Sequence, residues 1–280
     1  MKLVRYGENG AEKPGLVDAN GAIRDLSGVI ADISSETLSP EMLSRLSGLD
    51  PETLPLVEGS PRYGAPVGRI GKFICVGLNY ADHAAETGKA APPEPVLFAK
   101  ATTAVCGPND DVEIPRGSDR TDWEVELGVV IGKRAKYVAE DDALSHVAGY
   151  VLVNDVSERR FQSERAGQWI KGKSHDTFGP TGPWLVTPDE FEDIQNLDLW
   201  LDVDGERRQT GNTRTMIFPV KHLVSYISQF MTLEPGDIIS TGTPPGVGLG
   251  MKPPTFLKQG QIVTLGAAGL GEQRQKMVQA

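Results

Sequence analysis

The chain has 280 residues, with 38 Asp and Glu against 28 Lys and Arg and a formal net charge of −10, a balance that opposes the counterion-release binding of nucleic acid and gives no anchor on anionic membrane. A hydrophobic fraction of 39% with 24% charged residues is that of a folded globular chain, and 32 Gly with 20 Pro imply many turns. Two cysteines in apolar surroundings, Cys75 and Cys106, exclude a disulfide scaffold; with no apolar leader and no run of about 18 apolar residues, a cytoplasmic protein is expected.

Strands are expected first over residues 2–6, 15–17 and 22–26, with Asn20-Gly21 at the turn before the third. Ser39 can cap a helix that has Pro40 at its first position and runs toward Leu49. Gly and Pro then crowd residues 58–66, which places a boundary between a small N-terminal unit, 1–67, and a larger domain, 68–280. Residues 72–78 read as a continuous apolar strand, and 80–86 as a short helix stopped by Gly88. Further strands are expected over 96–99, 124–131, 149–154, 197–203, 238–240 and 261–265, and amphipathic helices over 140–147 and 220–230. Strands outnumber helices without alternating with them, so a predominantly β, α+β core with helices packed outside is expected rather than a doubly wound parallel sheet.

Strand periodicity puts Glu124 and Glu126 on one face and Val125 and Leu127 on the other. Neighbouring carboxylates repel and burial raises the cost, so the two either face solvent or share a cation. The run that follows reads as fully buried, and a second apolar strand ends at Asn154-Asp155. Glu124, Glu126 and Asp155 are therefore candidate ligands of one hard cation. With no His or Cys at ligand spacing, such a set suits Mg²⁺ or Mn²⁺, admits Ca²⁺ and disfavours Zn²⁺.

Asp122-Trp123-Glu124-x-Glu126-Leu127 followed by Asn154-Asp155-Val156-Ser157 resembles the metal-binding signature of the fumarylacetoacetate hydrolase family. Gly77-Leu78-Asn79-Tyr80-x-x-His83, Gly172-Lys173-Ser174-His175-Asp176-Thr177-Phe178 and Thr241-Gly242-Thr243-Pro244 extend the resemblance in order, over residues 70–270. It implies a mixed β-sandwich roll with peripheral helices and a small N-terminal α/β domain, a homodimer, and a cation held by two Glu and one Asp. The implied activity is metal-dependent hydrolysis of the C3–C4 bond of a 2,4-diketo acid to pyruvate and a carboxylic acid.

His83 and Glu86 are three apart on the expected helix, where the carboxylate can orient the imidazole; an exposed pair is the alternative, and the resemblance implies a water-activating dyad on a lid-like segment. Lys173 and Gln162 match family positions that polarise the water or the attacked carbonyl. Lys171, sharing a strand face with Lys173, is its rival, and a surface amide is the bland reading of Gln162. Arg159 either binds the substrate carboxylate or pairs with Glu158 or Asp155. The loop over residues 241–248 lacks the Gly-Lys-Ser/Thr ending of a nucleotide loop. Its glycines, Gly242 among them, would bring backbone N–H groups to a ligand, with Thr243 adding a hydroxyl; a structural turn is the alternative. His146 and His222 read as structural, and His175 is unassigned.

In the expected chemistry the His83–Glu86 pair deprotonates a water that attacks C4, and cleavage leaves a pyruvate enolate beside the cation. The same site would serve an oxaloacetate decarboxylase or tautomerase, a 2-hydroxyhepta-2,4-diene-1,7-dioate isomerase or a ureidoglycolate lyase. A metal-stabilised scaffold needs the carboxylates but not His83, Glu86 or Lys173. The segment 159–169 resembles relatives acting on sugar acids, which favours a 2,4-diketo-3-deoxy sugar acid over fumarylpyruvate, with Gln162, Arg165, His175 and Asp176 as hydroxyl partners.

Overall fold

A computed structural model of the protein describes residues 1–82 and 90–280. The chain opens with β1 (Lys2–Tyr6), β2 (Lys13–Val17), β3 (Ile23–Asp25) and α1 (Pro40–Ser47), the helix capped by Ser39, which accepts from the Met42 N–H at 3.2 Å. It continues through β4 (Phe73–Gly77), β5 (Val96–Lys100), β6 (Val105–Cys106), β7 (Val112–Ile114), β8 (Thr121–Asp122), β9 (Val125–Ile131), β10 (Val147–Asn154) and β11 (Ser157–Glu158). Two short helices follow, α2 (Arg159–Ser163) and α3 (Ile170–Lys173), then β12 (Gly179–Pro180), β13 (Leu185–Val186), β14 (Asp198–Val203) and β15 (Glu206–Asn212). The last elements are α4 (Val220–Phe230), β16 (Ile238–Ser240), β17 (Ile262–Ala267) and β18 (Gly271–Gln279).

The strands make a nine-stranded sheet in the order β3-β2-β1-β13-β10-β9-β16-β4-β5 and a five-stranded sheet β15-β14-β17-β18-β7, with two small ladders beside them. This is the mixed, strand-dominated α+β architecture expected. Strands β1–β3 enter the large sheet through β1 against β13, and Leu3, Leu16 and Leu26 share a core with Phe73, Val130 and Ile238.

Strands β9 and β10 are buried on both faces, which is why their sequences are almost unbroken apolar runs. Val125, Leu127, Val129 and Ile131 join Leu152 in the core shared with Leu199, Leu201, Val263 and Leu265 of the second sheet. Val130, Val151 and Val153 face the other way, toward Phe73 and Ile238. Antiparallel register sets Val153 opposite Glu126. One same-face step beyond Val153 is Asp155, so a period of two carries Glu124, Glu126 and Asp155 to one side of the sheet end.

Some elements differ from expectation. Residues 140–146 form a 3-10 helix, Glu140–His146, not a regular α-helix, while α4 has the expected bounds. β15 and β18 were not apparent as strands because polar residues occupy them; in β18 the buried positions are Gln273, Gln275 and Met277. Gln273 and Gln275 replace hydrophobic burial with hydrogen bonds, donating to Leu152 O, Gly182 O and Pro108 O. The helix expected over 80–86 falls mostly outside the described residues.

Candidate active site

Carboxylate oxygens of Glu124, Glu126 and Asp155 lie within 4.8 Å of one another, and all three residues are buried. Glu124 Oε1 accepts from Arg159 Nη2 at 2.6 Å, and Glu124 Oε2 from Lys173 Nζ at 2.6 Å. The same ammonium donates to Asp155 Oδ2 at 2.8 Å. Glu126 Oε2 accepts from Ser240 Oγ at 2.5 Å and from the Gly242 N–H at 2.9 Å. Gly242 has φ +100°, and a Cβ there would meet Asn79 Cβ at 2.9 Å, so the turn that aims this N–H calls for glycine.

Lys100, which ends β5, is fully buried and was not singled out from the sequence. Its Nζ forms an ion pair with Asp155 Oδ1 at 2.6 Å and donates to Lys173 O at 2.6 Å and Val156 O at 2.9 Å. Buried carboxylates at Asp122, Glu124, Glu126 and Asp155 thus face buried cations at Lys100, Arg159 and Lys173, four negative charges against three positive. Among the described residues no ion pair joins Glu126. Burial, then Asp155 and Glu124, push its carboxyl well above the usual range. Burial acts the same way on Glu124, but Arg159 and Lys173 outweigh it and hold that carboxyl down to about 2. Burial pulls the Lys173 ammonium down, and Asp155 and Glu124 outweigh it and raise it. An all-oxygen cluster with excess negative charge fits a hard divalent cation, which would relieve the repulsion centred on Glu126.

These groups floor a cavity of about 160 Å³. Arg159, Gln162 and Thr243 add polar groups, while Val76, Leu78, Phe98, Trp169, Val247 and Leu249 make apolar walls. Trp169 rests on Gly77, where a Cβ would sit 2.6 Å from the indole, and its ring centroid is 5.1 Å from that of Phe98.

The structure gathers most of the residues singled out from the sequence. Gln162 is buried, lines the cavity and accepts from Arg159 Nη1 at 3.3 Å, so it is not a surface amide. Lys171 and Lys173 sit on α3 rather than a strand, so two positions apart they diverge. Lys171 is exposed and donates to Arg165 O, which removes it as a rival. Arg159 pairs with Asp122 and Glu124, not with Glu158 or Asp155, and Glu158 instead caps α2 through the Phe161 N–H. The Thr243 hydroxyl donates to Val125 O and accepts from Gln209 Nε2, both within 2.9 Å.

Three of the expected hydroxyl partners lie elsewhere. Arg165 stacks on Phe161 at 4.1 Å and is exposed, as is Asp176. His175 packs between Phe161 and Phe178, where burial lowers its pKa. Among the described residues, Gln162 alone of that quartet lines the cavity. His146 contacts Lys133 O, and His222 stacks between Phe218 and Tyr226, both supporting structure. His83 and Glu86 lie outside the described residues.

The family description Fumarylacetoacetate (FAA) hydrolase C-terminal matches residues 72–278. A Burkholderia ambifaria protein named provisionally as a hydrolase is 65% identical over 276 residues, 98% of each chain. Among solved structures, fumarylacetoacetate hydrolase from Exiguobacterium antarcticum is 36% identical with a TM-score of 0.88, covering 100% of both chains. A 2-hydroxyhepta-2,4-diene-1,7-dioate isomerase from Mycobacterium marinum is 31% identical with a TM-score of 0.75, covering 100% of this chain and 98% of that one. Maleylpyruvate hydrolase from Sphingobium, in complex with manganese(II) and pyruvate, is 28% identical with a TM-score of 0.84 over 100% of both chains. Among the described residues no helix is long and apolar enough to cross a membrane.

Proposed function

Because the chain belongs to the fumarylacetoacetate hydrolase family, we propose that it hydrolyses the C3–C4 bond of a 2,4-diketo acid to pyruvate and a carboxylic acid, with Glu124, Glu126 and Asp155 holding Mg²⁺ or Mn²⁺. The observation that carries this reading is the buried carboxylate triad at the floor of a cavity whose wall presents Lys173 and Gln162. When bound, the cation supplies Lewis acidity toward the 2-keto oxygen of the substrate.

The chain's own residues do the rest. Lys173, held in its charged form by Asp155 and Glu124, provides a fixed positive charge against the oxyanion that develops at C4. Gln162, its carbonyl held by Arg159, presents its amide to the cavity. The His83–Glu86 pair takes a proton from the water that adds to C4. The C3–C4 electron pair then passes to C3 as an enolate, and protonation at C3 completes pyruvate. A scaffold would not require the buried Lys173.

The apolar walls suit an apolar or unsaturated acyl group better than a polyhydroxylated one. Each sugar hydroxyl entering the cavity would give up water, and the polar side chains there that could replace it, Arg159, Gln162 and Thr243 among them, are already engaged with other protein groups. This sets aside the physical support for a sugar acid, since Arg165, His175 and Asp176 do not line the cavity. Tautomerisation or isomerisation of an unsaturated 2-keto diacid is the second reading, favoured by the M. marinum isomerase among the similar structures. A coupled pyruvate-release assay over a panel of acylpyruvates and deoxy sugar diketo acids, with oxaloacetate alongside, tests both. Hydrolysis predicts stoichiometric pyruvate and carboxylic acid; an isomerase changes the ultraviolet spectrum and releases neither.

A further inference from the structure

Asp122 stands two residues before Glu124, outside the carboxylate triad, and it is 0% exposed. Its two oxygens accept four hydrogen bonds. Oδ1 takes the Trp123 N–H at 2.8 Å and the Gly248 N–H at 2.7 Å, while Oδ2 takes the Leu249 N–H at 2.9 Å and Arg159 Nε at 2.7 Å. Two of those donors belong to a loop that walls the cavity through Val247 and Leu249. That loop approaches so closely at Gly248 that a Cβ would meet Thr255 O at 1.9 Å and Asp122 Oδ1 at 2.7 Å. The fourth donor, Arg159, holds Glu124 Oε1 with its other arm.

We propose that Asp122 is a positioning residue that couples the loop carrying Val247 and Leu249 to the cation site, through Arg159 and Glu124. Asp122 keeps the guanidinium divided between two carboxylates. Arg159 therefore engages Glu124 through one oxygen and leaves the other facing the cluster. Without that restraint the guanidinium closes on Glu124 as a bidentate pair and withdraws it from a cation. The same change frees the Leu249 N–H and loosens the wall. An asparagine at 122 can accept only two of the four bonds, and its amide hydrogens face the remaining donors.

The test needs no substrate and uses Mn(II) alone as the probe. In wild-type protein, saturating Mn(II) is expected to slow amide exchange at Gly248 and Leu249 by about fivefold or more, as coupled sites require. In Asp122→Asn that response disappears, and Mn(II) affinity read by electron paramagnetic resonance falls about tenfold or more, the range for groups that orient a ligand. Leu249→Pro, which deletes one donor while leaving Asp122 in place, decides by exchange at Gly248 and by Mn(II) affinity if Asp122→Asn does not fold. An unchanged exchange response, or Mn(II) affinity within about twofold of wild type, overturns the coupling. The inference rests on the cation reading of the triad. Wild-type protein that binds no Mn(II) sinks both, whereas normal wild-type binding with a silent Asp122→Asn sinks this one alone.

Discussion

Glu126→Gln should make the protein more stable in chelator and less stable in Mn²⁺. Glu126 is 2% exposed, belongs to a triad that brings one oxygen from each carboxylate within 4.8 Å of the others, and joins no ion pair among the described residues. The amide oxygen can still accept from Ser240 Oγ and the Gly242 N–H, the two donors that Glu126 Oε2 uses. The amide N–H₂ then faces carboxylates, turning repulsion into attraction. In metal-free protein the Glu126 carboxyl must either stay charged without a partner or take up a proton at a cost, so replacing it while keeping its hydrogen bonds should stabilise the chelated protein by about 2 kcal/mol. At about 2–4 °C per kcal/mol for a chain of this size, Tm rises by roughly 4–8 °C. Wild type should gain about 2.7 kcal/mol from Mn²⁺ at a hundred times Kd, and the variant almost nothing, having lost a ligand. Melting both proteins by scanning fluorimetry in chelator and in Mn²⁺ reads both signs. A variant that melts below wild type in chelator, yet keeps the wild-type Mn²⁺ shift, would refute the placement of the cation and the charge reasoning together.

Chelation should abolish turnover, with Mg²⁺ or Mn²⁺ restoring it; full activity after exhaustive dialysis against chelator, with metal content checked by emission spectroscopy, contradicts this. His83→Ala should lower kcat by about two to four orders of magnitude, the usual contribution of a positioned base, while Mn²⁺ affinity by titration stays near wild type. Lys173→Met should cost about two to three orders in kcat, as for a removed oxyanion donor; equal kcat in the two proteins would make Lys173 a structural charge only. Across the substrate panel, kcat/KM should be higher for apolar or unsaturated acylpyruvates than for deoxy sugar diketo acids, and the reverse order would show that the apolar walls do not set the preference.

The buried carboxylate pair was legible because a strand's period of two is rigid. Once 124–131 reads as a strand, Glu124 and Glu126 must share a face, and Asp155 at the end of a second apolar run is a ready third ligand. The continuous apolar runs of β9 and β10 likewise announced strands covered on both sides. β18 was hidden because its inner face carries Gln273 and Gln275, whose burial depends on acceptors more than 90 residues away in the chain.

The sequence by itself determined the strand-rich α+β class and the residues able to hold a cation, because these follow from local periodicity and side-chain chemistry, while its motifs in order carried the resemblance to the family. Only tertiary structure decided which charges meet. Arg159 had Glu158 and Asp155 as neighbours along the chain, yet it reaches Asp122 and Glu124, which β8 and β9 bring beside it. Lys171 stood as a rival to Lys173 until α3 turned one to solvent and the other into the cluster. Lys100, one residue past the strand expected over 96–99, carried no signal of its own until folding set its ammonium beside Asp155, 55 positions on. Charges attract through space with a reach of a few ångströms, and which of them come that close is a property of chain crossings that no local pattern records.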